Sequence, residues 1–124
     1  MKILKYDTHT HLDLYDDFET KLNYIEKNEI YSIVMTNVPK LYKRYKDKYQ
    51  NLKFTRFSLG LHPELVVKYG NQLELFLDYL PESRYIGEIG LDYSKGVSKV
   101  QTQTFERIIE SCEFFEDKII SIHS

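Results

Sequence analysis

The chain has one cysteine, Cys112, and no tryptophan. A single thiol excludes an internal disulfide, so packing and hydrogen bonds must hold the fold, and a reducing cytoplasm is the expected home. Three prolines and five glycines in 124 residues are too few for a low-complexity or collagen-like chain. No apolar run approaches the ~20 residues of a spanning helix. The opening "MKILKYD" meets charge at once, so neither a signal peptide nor a membrane partner is expected. Charge of one sign is also scarce. The formal net charge is -2, which neither marks nor excludes a nucleic-acid partner, because local patches outweigh the sum.

What is present is apolar and aromatic. Hydrophobic residues make up 42% of the chain, including eleven Tyr and seven Phe, enough for a single globular domain with a real core over residues 1–124. Strand-like and helix-like stretches alternate. Strands are expected at 3–9, 30–38, 53–62, 84–92 and 118–124, from β-branched or apolar runs. Between them, apolar residues recur at helical spacing: Phe18, Leu22 and Ile25; Leu41, Tyr42, Tyr45 and Tyr49; Leu65, Val66, Tyr69, Leu73, Phe76 and Leu77, with a break at Gly70-Asn71; and Val100, Thr104, Ile108, Cys112 and Phe115. Pro39 and Pro63 suit helix starts. Strict alternation predicts an α/β fold, a parallel sheet with helices outside it. Such sheets carry their ligand groups at the carboxyl ends of the strands. His9 and His11, His62, Glu88, Asp92 and His123 all fall at that end.

In "HTH", His9 and His11 lie two residues apart and share a face if extended. Two such imidazoles suit a divalent metal, or else they hydrogen-bond to neighbouring loops. Asp7 and Asp13 flank the pair, where a carboxylate can orient a ligating ring. Glu88 stands between glycines inside an apolar strand, where a carboxylate needs a counter-charge. A carboxylate bridging two metals is one reading and a Glu turned outward to a lysine is the other. His62 either caps a turn or touches an anionic substrate group. The basic stretch "KLYKRYKDKYQNLKFTR" resembles a surface for stacking single strands, but its tyrosines are better read as a buried helix face. Cys112 falls on an apolar face and reads as core.

Taken together, "DTHTHLD", "GLHPE", "GEIGLDY", the glutamines of "VQTQTFERIIE" and "IISIHS" resemble the TatD family of metal-dependent hydrolases in order and rough spacing. The resemblance covers the whole chain. It implies a (β/α)8 TIM barrel of the amidohydrolase-like set and phosphodiester cleavage of DNA, with two divalent ions (Mg, Mn or Zn) activating water. Position by position it implies His9 and His11 as ligands of one metal, Glu88 as the shared carboxylate, and His123 as a ligand of the other. It places His62 beside the substrate phosphate as a catalytic and substrate-binding residue. It gives Gln101 or Gln103 a supporting role, with Asp7, Asp13 and Asp92 as further supports.

The chain departs from the family in reach. Family members run on for roughly as many residues again and add a further histidine and an aspartate, so only about the first half of the barrel, some five strands, is expected here. A half barrel exposes a raw edge and an open interior. Truncation of a longer protein is the favoured expectation, since 123–124 fall in mid-motif. Self-association, or a partner protein covering the open edge, is another. Competing functions are a metallohydrolase of a small phosphoester or amide on the same scaffold, and a non-catalytic partial barrel serving as a binding or assembly subunit.

Overall fold

Short β-branched runs become strands, and the amphipathic stretches between them become helices. The computed structural model describes residues 3–12, 17–66, 72–94 and 96–123. Five strands alternate with four α-helices: β1 (Lys5–Thr10), α1 (Phe18–Lys27), β2 (Ile30–Val34), α2 (Pro39–Lys48), β3 (Thr55–Phe57), α3 (Gln72–Tyr79), β4 (Tyr85–Gly90), α4 (Lys99–Cys112) and β5 (Ile119–His123). Two 3₁₀ turns, Pro63–Leu65 and Leu80–Glu82, precede α3 and β4 respectively.

All paired strands are parallel. β1, β2 and β3 form one ladder, with Tyr6 opposite Tyr31 and Ser32 opposite Thr55. β4 and β5 form another, with Tyr85 opposite Ile119 and Gly90 opposite His123. The third strand is shorter than the pattern at 53–62 predicts, and the reason lies in its partners. At Ser58 the chain stops following β2 and turns to β4. Ser58 N–H donates to Val34 O at 2.9 Å, while Leu59 N–H donates to Tyr85 O at 2.9 Å and Leu59 O accepts Gly87 N–H at 2.8 Å. The two ladders therefore meet in one curved sheet through residues 58–61.

Buried side chains tie this seam. Thr36 Oγ1 donates to Ser58 O at 2.8 Å and accepts Gly60 N–H at 3.0 Å. Ser58 Oγ lies 3.0 Å from Val34 O and 2.7 Å from Gly87 O. Thr36 and Ser58 are fully buried, and full satisfaction is what makes such polar groups tolerable there.

The helices pack outside. Tyr42, Leu59, Phe76, Leu80, Ile86, Ile89 and Ile108 form the main core against α2, α3 and α4. Leu12, Leu22, Ile25 and Val34 form a second core under α1. In α4 the buried stripe is Gln101, Thr104, Ile108 and Cys112, so Val100 falls outside it and is 45% exposed, against the sequence expectation. The Ser98 hydroxyl caps this helix by accepting Gln101 N–H at 3.1 Å. Cys112 is core, and burial pushes its thiol up. Among the expected apolar positions, Tyr69 and the Gly70-Asn71 break lie outside the described residues.

The basic stretch is spent on packing. Tyr45 stacks on Phe18 at 4.8 Å, and Tyr49 meets Phe57 at 6.1 Å. Outward lysines find carboxylates, Lys43 with Asp47 at 3.3 Å and Lys48 with Glu19 at 3.1 Å.

β1 and β5 each pair on one side only, and they leave apolar groups in water. Ile3, Leu4 and Tyr6 at one edge and Ile119, Ile120 and Ile122 at the other are exposed. No helix among the described residues is long and apolar enough to cross a membrane.

One carboxylate clasps α1 to the start of β3. Glu26 accepts Lys53 N–H at 2.7 Å, Phe54 N–H at 2.8 Å and the Thr55 hydroxyl at 2.9 Å. Replacing it leaves backbone donors unpaired. Glu26→Ala is expected to cost about 1.5–3 kcal/mol in chemical denaturation. A loss under about 0.5 kcal/mol would show that water replaces the clasp freely.

Candidate metal centre

All four histidines of the chain reach one carboxylate. Each comes from a strand's carboxyl end or the loop behind it, where a parallel sheet leaves backbone and side chains free to converge. Glu88 is 5% exposed. Its Oε2 lies 2.8 Å from His11 Nε2 and 3.4 Å from His9 Nε2. Its Oε1 lies 2.5 Å from His123 Nδ1 and 3.8 Å from His62 Nε2. Each carboxylate oxygen thus faces its own pair of imidazoles. The reading of Glu88 as an outward, lysine-paired residue is excluded.

The spacing fits metal ligation. Donors about 2.1 Å from one ion in tetrahedral or octahedral geometry stand roughly 3.0 to 3.4 Å apart. His9 Nε2 and His11 Nε2 are 3.0 Å apart, and with Glu88 Oε2 they form a compact three-donor group. Glu88, His123 and His62 form a second group. Burial alone would raise the Glu88 carboxyl. The hydrogen bond from His123 and the electrostatic influence of the His11, His62 and His9 rings outweigh it and hold the group below the usual glutamate range. Glu88 is therefore an anion, as a shared ligand must be.

Ring partners decide which nitrogen is free. His9 Nδ1 lies 2.6 Å from Ser121 Oγ. A proton on that nitrogen leaves Nε2 with its lone pair aimed at His11 and Glu88. His62 is set the other way. Its Nδ1 accepts Glu64 N–H at 3.2 Å, so the neutral ring carries its proton on Nε2. Burial pushes the His62 pKa down, with partial offset from Glu88, which favours that neutral ring. The structure bears out the capping of the 3₁₀ turn, and the same ring turns its Nε2–H toward Glu88.

The supporting residues divide. Asp92 lies 4.0 Å from His123 Nε2. Hydrogen bonds from Ser94, then Glu64, pull its carboxyl down to about 2. Gln101 Oε1 accepts Asp92 N–H at 3.1 Å and so steadies the end of β4. Gln103 is exposed on the outer face of α4, one residue before Thr104 of the buried stripe, and does not join the site. Asp7 accepts the His9 backbone N–H at 3.3 Å, whereas the ring partner of His9 is Ser121. Asp13 lies outside the described residues.

The sequence model of the TatD-related DNases matches residues 6–124. The chain belongs to this family. Among solved structures it is similar to YjjV, a TatD homologue from Escherichia coli K12, with a TM-score of 0.76 and 21% identity. The likeness covers 97% of this chain and 50% of that one. The fold is therefore a TatD-type TIM barrel, of which these residues span about half the solved relative's length. A search of the curated proteins finds no match.

Two residues around this cluster were given no role by the sequence reading. Ser121 could have been found from parity, since it shares a strand face with His123, two residues on. Gly60 is the other. A Cβ there would lie 1.8 Å from Thr36 O, 2.5 Å from Gly87 O and 2.6 Å from Glu88 N. All three obstacles are backbone, so none can swing away. The glycines flanking Glu88 are also closely packed: Gly90, at φ +139, lies against the His123 backbone, and a Cβ on Gly87 would meet Met35 Sδ at 2.7 Å.

Gly60→Ala is accordingly expected to displace Glu88 and to destabilise the chain by about 3 kcal/mol or more. Thermal melting and metal titration check this together. Normal stability with normal metal affinity would show that the seam has slack.

Proposed function

We propose that this chain supplies the metal-binding half of a phosphodiesterase acting on DNA, with Glu88 shared between two divalent ions. The observation that carries the reading is the split carboxylate, one oxygen toward His9 and His11 and the other toward His123. His9, His11 and Glu88 would hold one ion, and Glu88 with His123 the other. Divalent ions there supply Lewis acidity toward a phosphoryl oxygen and lower the pKa of water, and the nitrogen and oxygen donors suit Mg, Mn or Zn.

The protein's own groups do the positioning. Ser121 meets His9 Nδ1 and so orients the ring with Nε2 toward Glu88. His62 presents Nε2–H, the right polarity to donate to a non-bridging phosphate oxygen rather than to ligate. Gln101 and Ser94 fix the loop that carries Asp92 beside His123. The buried seam beneath Glu88 prevents the shared carboxylate from following either ion.

The exposed apolar side chains at both sheet edges favour a second element of the reading. A further protein surface, from the remainder of a longer chain, from another copy or from a partner, would cover these edges in a complete barrel. A partial barrel serving only as an assembly subunit would use the same edges without needing an intact site.

Two measurements separate these readings. Saturating Mn²⁺ is expected to stabilise the folded chain by about 2.7 kcal/mol at a hundredfold excess over Kd, and to do so only weakly in His11→Ala. Cleavage of end-labelled single-stranded DNA with Mg²⁺ or Mn²⁺ is expected to fall on the order of 100-fold or more in His11→Ala. Metal binding without cleavage, with or without a barrel-completing partner, would favour the assembly subunit. Cleavage indifferent to His11 would sink the metal reading.

A further inference from the structure

The cavity over the candidate metal centre contains, among the described residues, a polar side chain to which no role has yet been given. Asn37 lies three residues past the end of β2 and lines a cavity of about 340 Å³ together with His11, His62, Glu64, Glu88 and His123. That volume suits a small ligand or one nucleotide unit. The Asn37 backbone is committed, since its carbonyl accepts His62 N–H at 2.8 Å. Its side-chain oxygen is not. Asn37 Oδ1 is buried and has no hydrogen-bond partner among the described residues. The adjacent Thr36 is satisfied on every side. A buried acceptor left unpaired carries a penalty that a bound donor removes.

The polarity of the missing partner follows from what already lines the cavity. His62 Nε2–H, and cations held by the histidines and Glu88, serve anionic oxygens. None of them needs a neutral acceptor. Beside the phosphate of a nucleotide, the nearest donors are the hydroxyls of the sugar. We propose that Asn37 is a substrate-binding residue whose side-chain carbonyl accepts a hydrogen bond from a sugar hydroxyl of the nucleotide at the metal centre. This rests on the nucleotide reading above. The hydroxyl has two sources, the 3′-hydroxyl of a chain end or the 2′-hydroxyl of a ribose.

The test is a binding cycle on the Mn²⁺-loaded chain by calorimetry. The probes are thymidine 5′-monophosphate, its 2′,3′-dideoxy analogue, and the ribose analogue. Wild type is expected to lose about tenfold in affinity when the hydroxyls are removed, and Asn37→Ala to show no such difference. Asn37→Asp, which keeps the acceptor, is expected to keep the discrimination. A gain for the ribose over the deoxyribose that Asn37→Ala abolishes would identify the 2′-hydroxyl, and equality would identify the 3′-hydroxyl. An equal hydroxyl penalty in wild type and Asn37→Ala would overturn the assignment. So would an equal weakening of all three ligands by Asn37→Ala, which means contact with phosphate. A drop in Mn²⁺ affinity alone would also overturn it, by placing Asn37 around the metal. If Mn²⁺ binds but no nucleotide does, the nucleotide reading itself falls and takes this one with it.

Discussion

A buried carboxylate among four imidazoles is the constraint on which the rest of the structure depends. Burial of the Glu88 anion is costly, and only its partners make it tolerable. Those partners arrive from β1, from the loop after β3, and from β5. The sheet must therefore curve until its two edge strands face each other across the interior. The Ser121 contact to His9, spanning 112 residues of sequence, is the direct sign of that curvature. An ordinary open parallel sheet would hold these groups apart.

Rigidity beneath the carboxylate comes from the backbone. Thr36, Ser58 and Gly60 join β2 to β4 where β3 changes partners, and Glu88 N–H donates to Thr36 O at 3.1 Å within that join. The polar groups are satisfied and the glycine leaves no room, so the seam has little freedom to relax. It explains why a three-residue β3 suffices.

Much of this was legible beforehand. The alternation of β-branched runs and helical stripes gave the parallel sheet, and chain order alone placed His9, His11, His62, Glu88 and His123 at one end of it. Buried stripes such as Leu22 with Ile25, or Thr104 with Ile108, follow a period that local sequence carries. Other features depend on tertiary contacts. The end of β3 is set by a change of partner, which no local propensity encodes. Gln101 and Gln103 are equivalent by pattern, and only the placement of α4 against β4 turns one inward. Ser121 and Asn37 are small polar residues of a kind common everywhere, and they matter here only because of what lies across the interior from them. Asp7 looked like a ring partner by proximity in sequence, yet its oxygen bonds to the His9 backbone while a serine from the far strand meets the ring.

The central claim is that Glu88 joins two metal positions. Electron paramagnetic resonance of the chain titrated with Mn²⁺ reads this directly, because ions sharing a carboxylate couple magnetically. The account predicts two ions per chain with an exchange-coupled spectrum, and loss of that coupling in Glu88→Gln. A single uncoupled ion at saturation, or a coupled spectrum unchanged by Glu88→Gln, would contradict it.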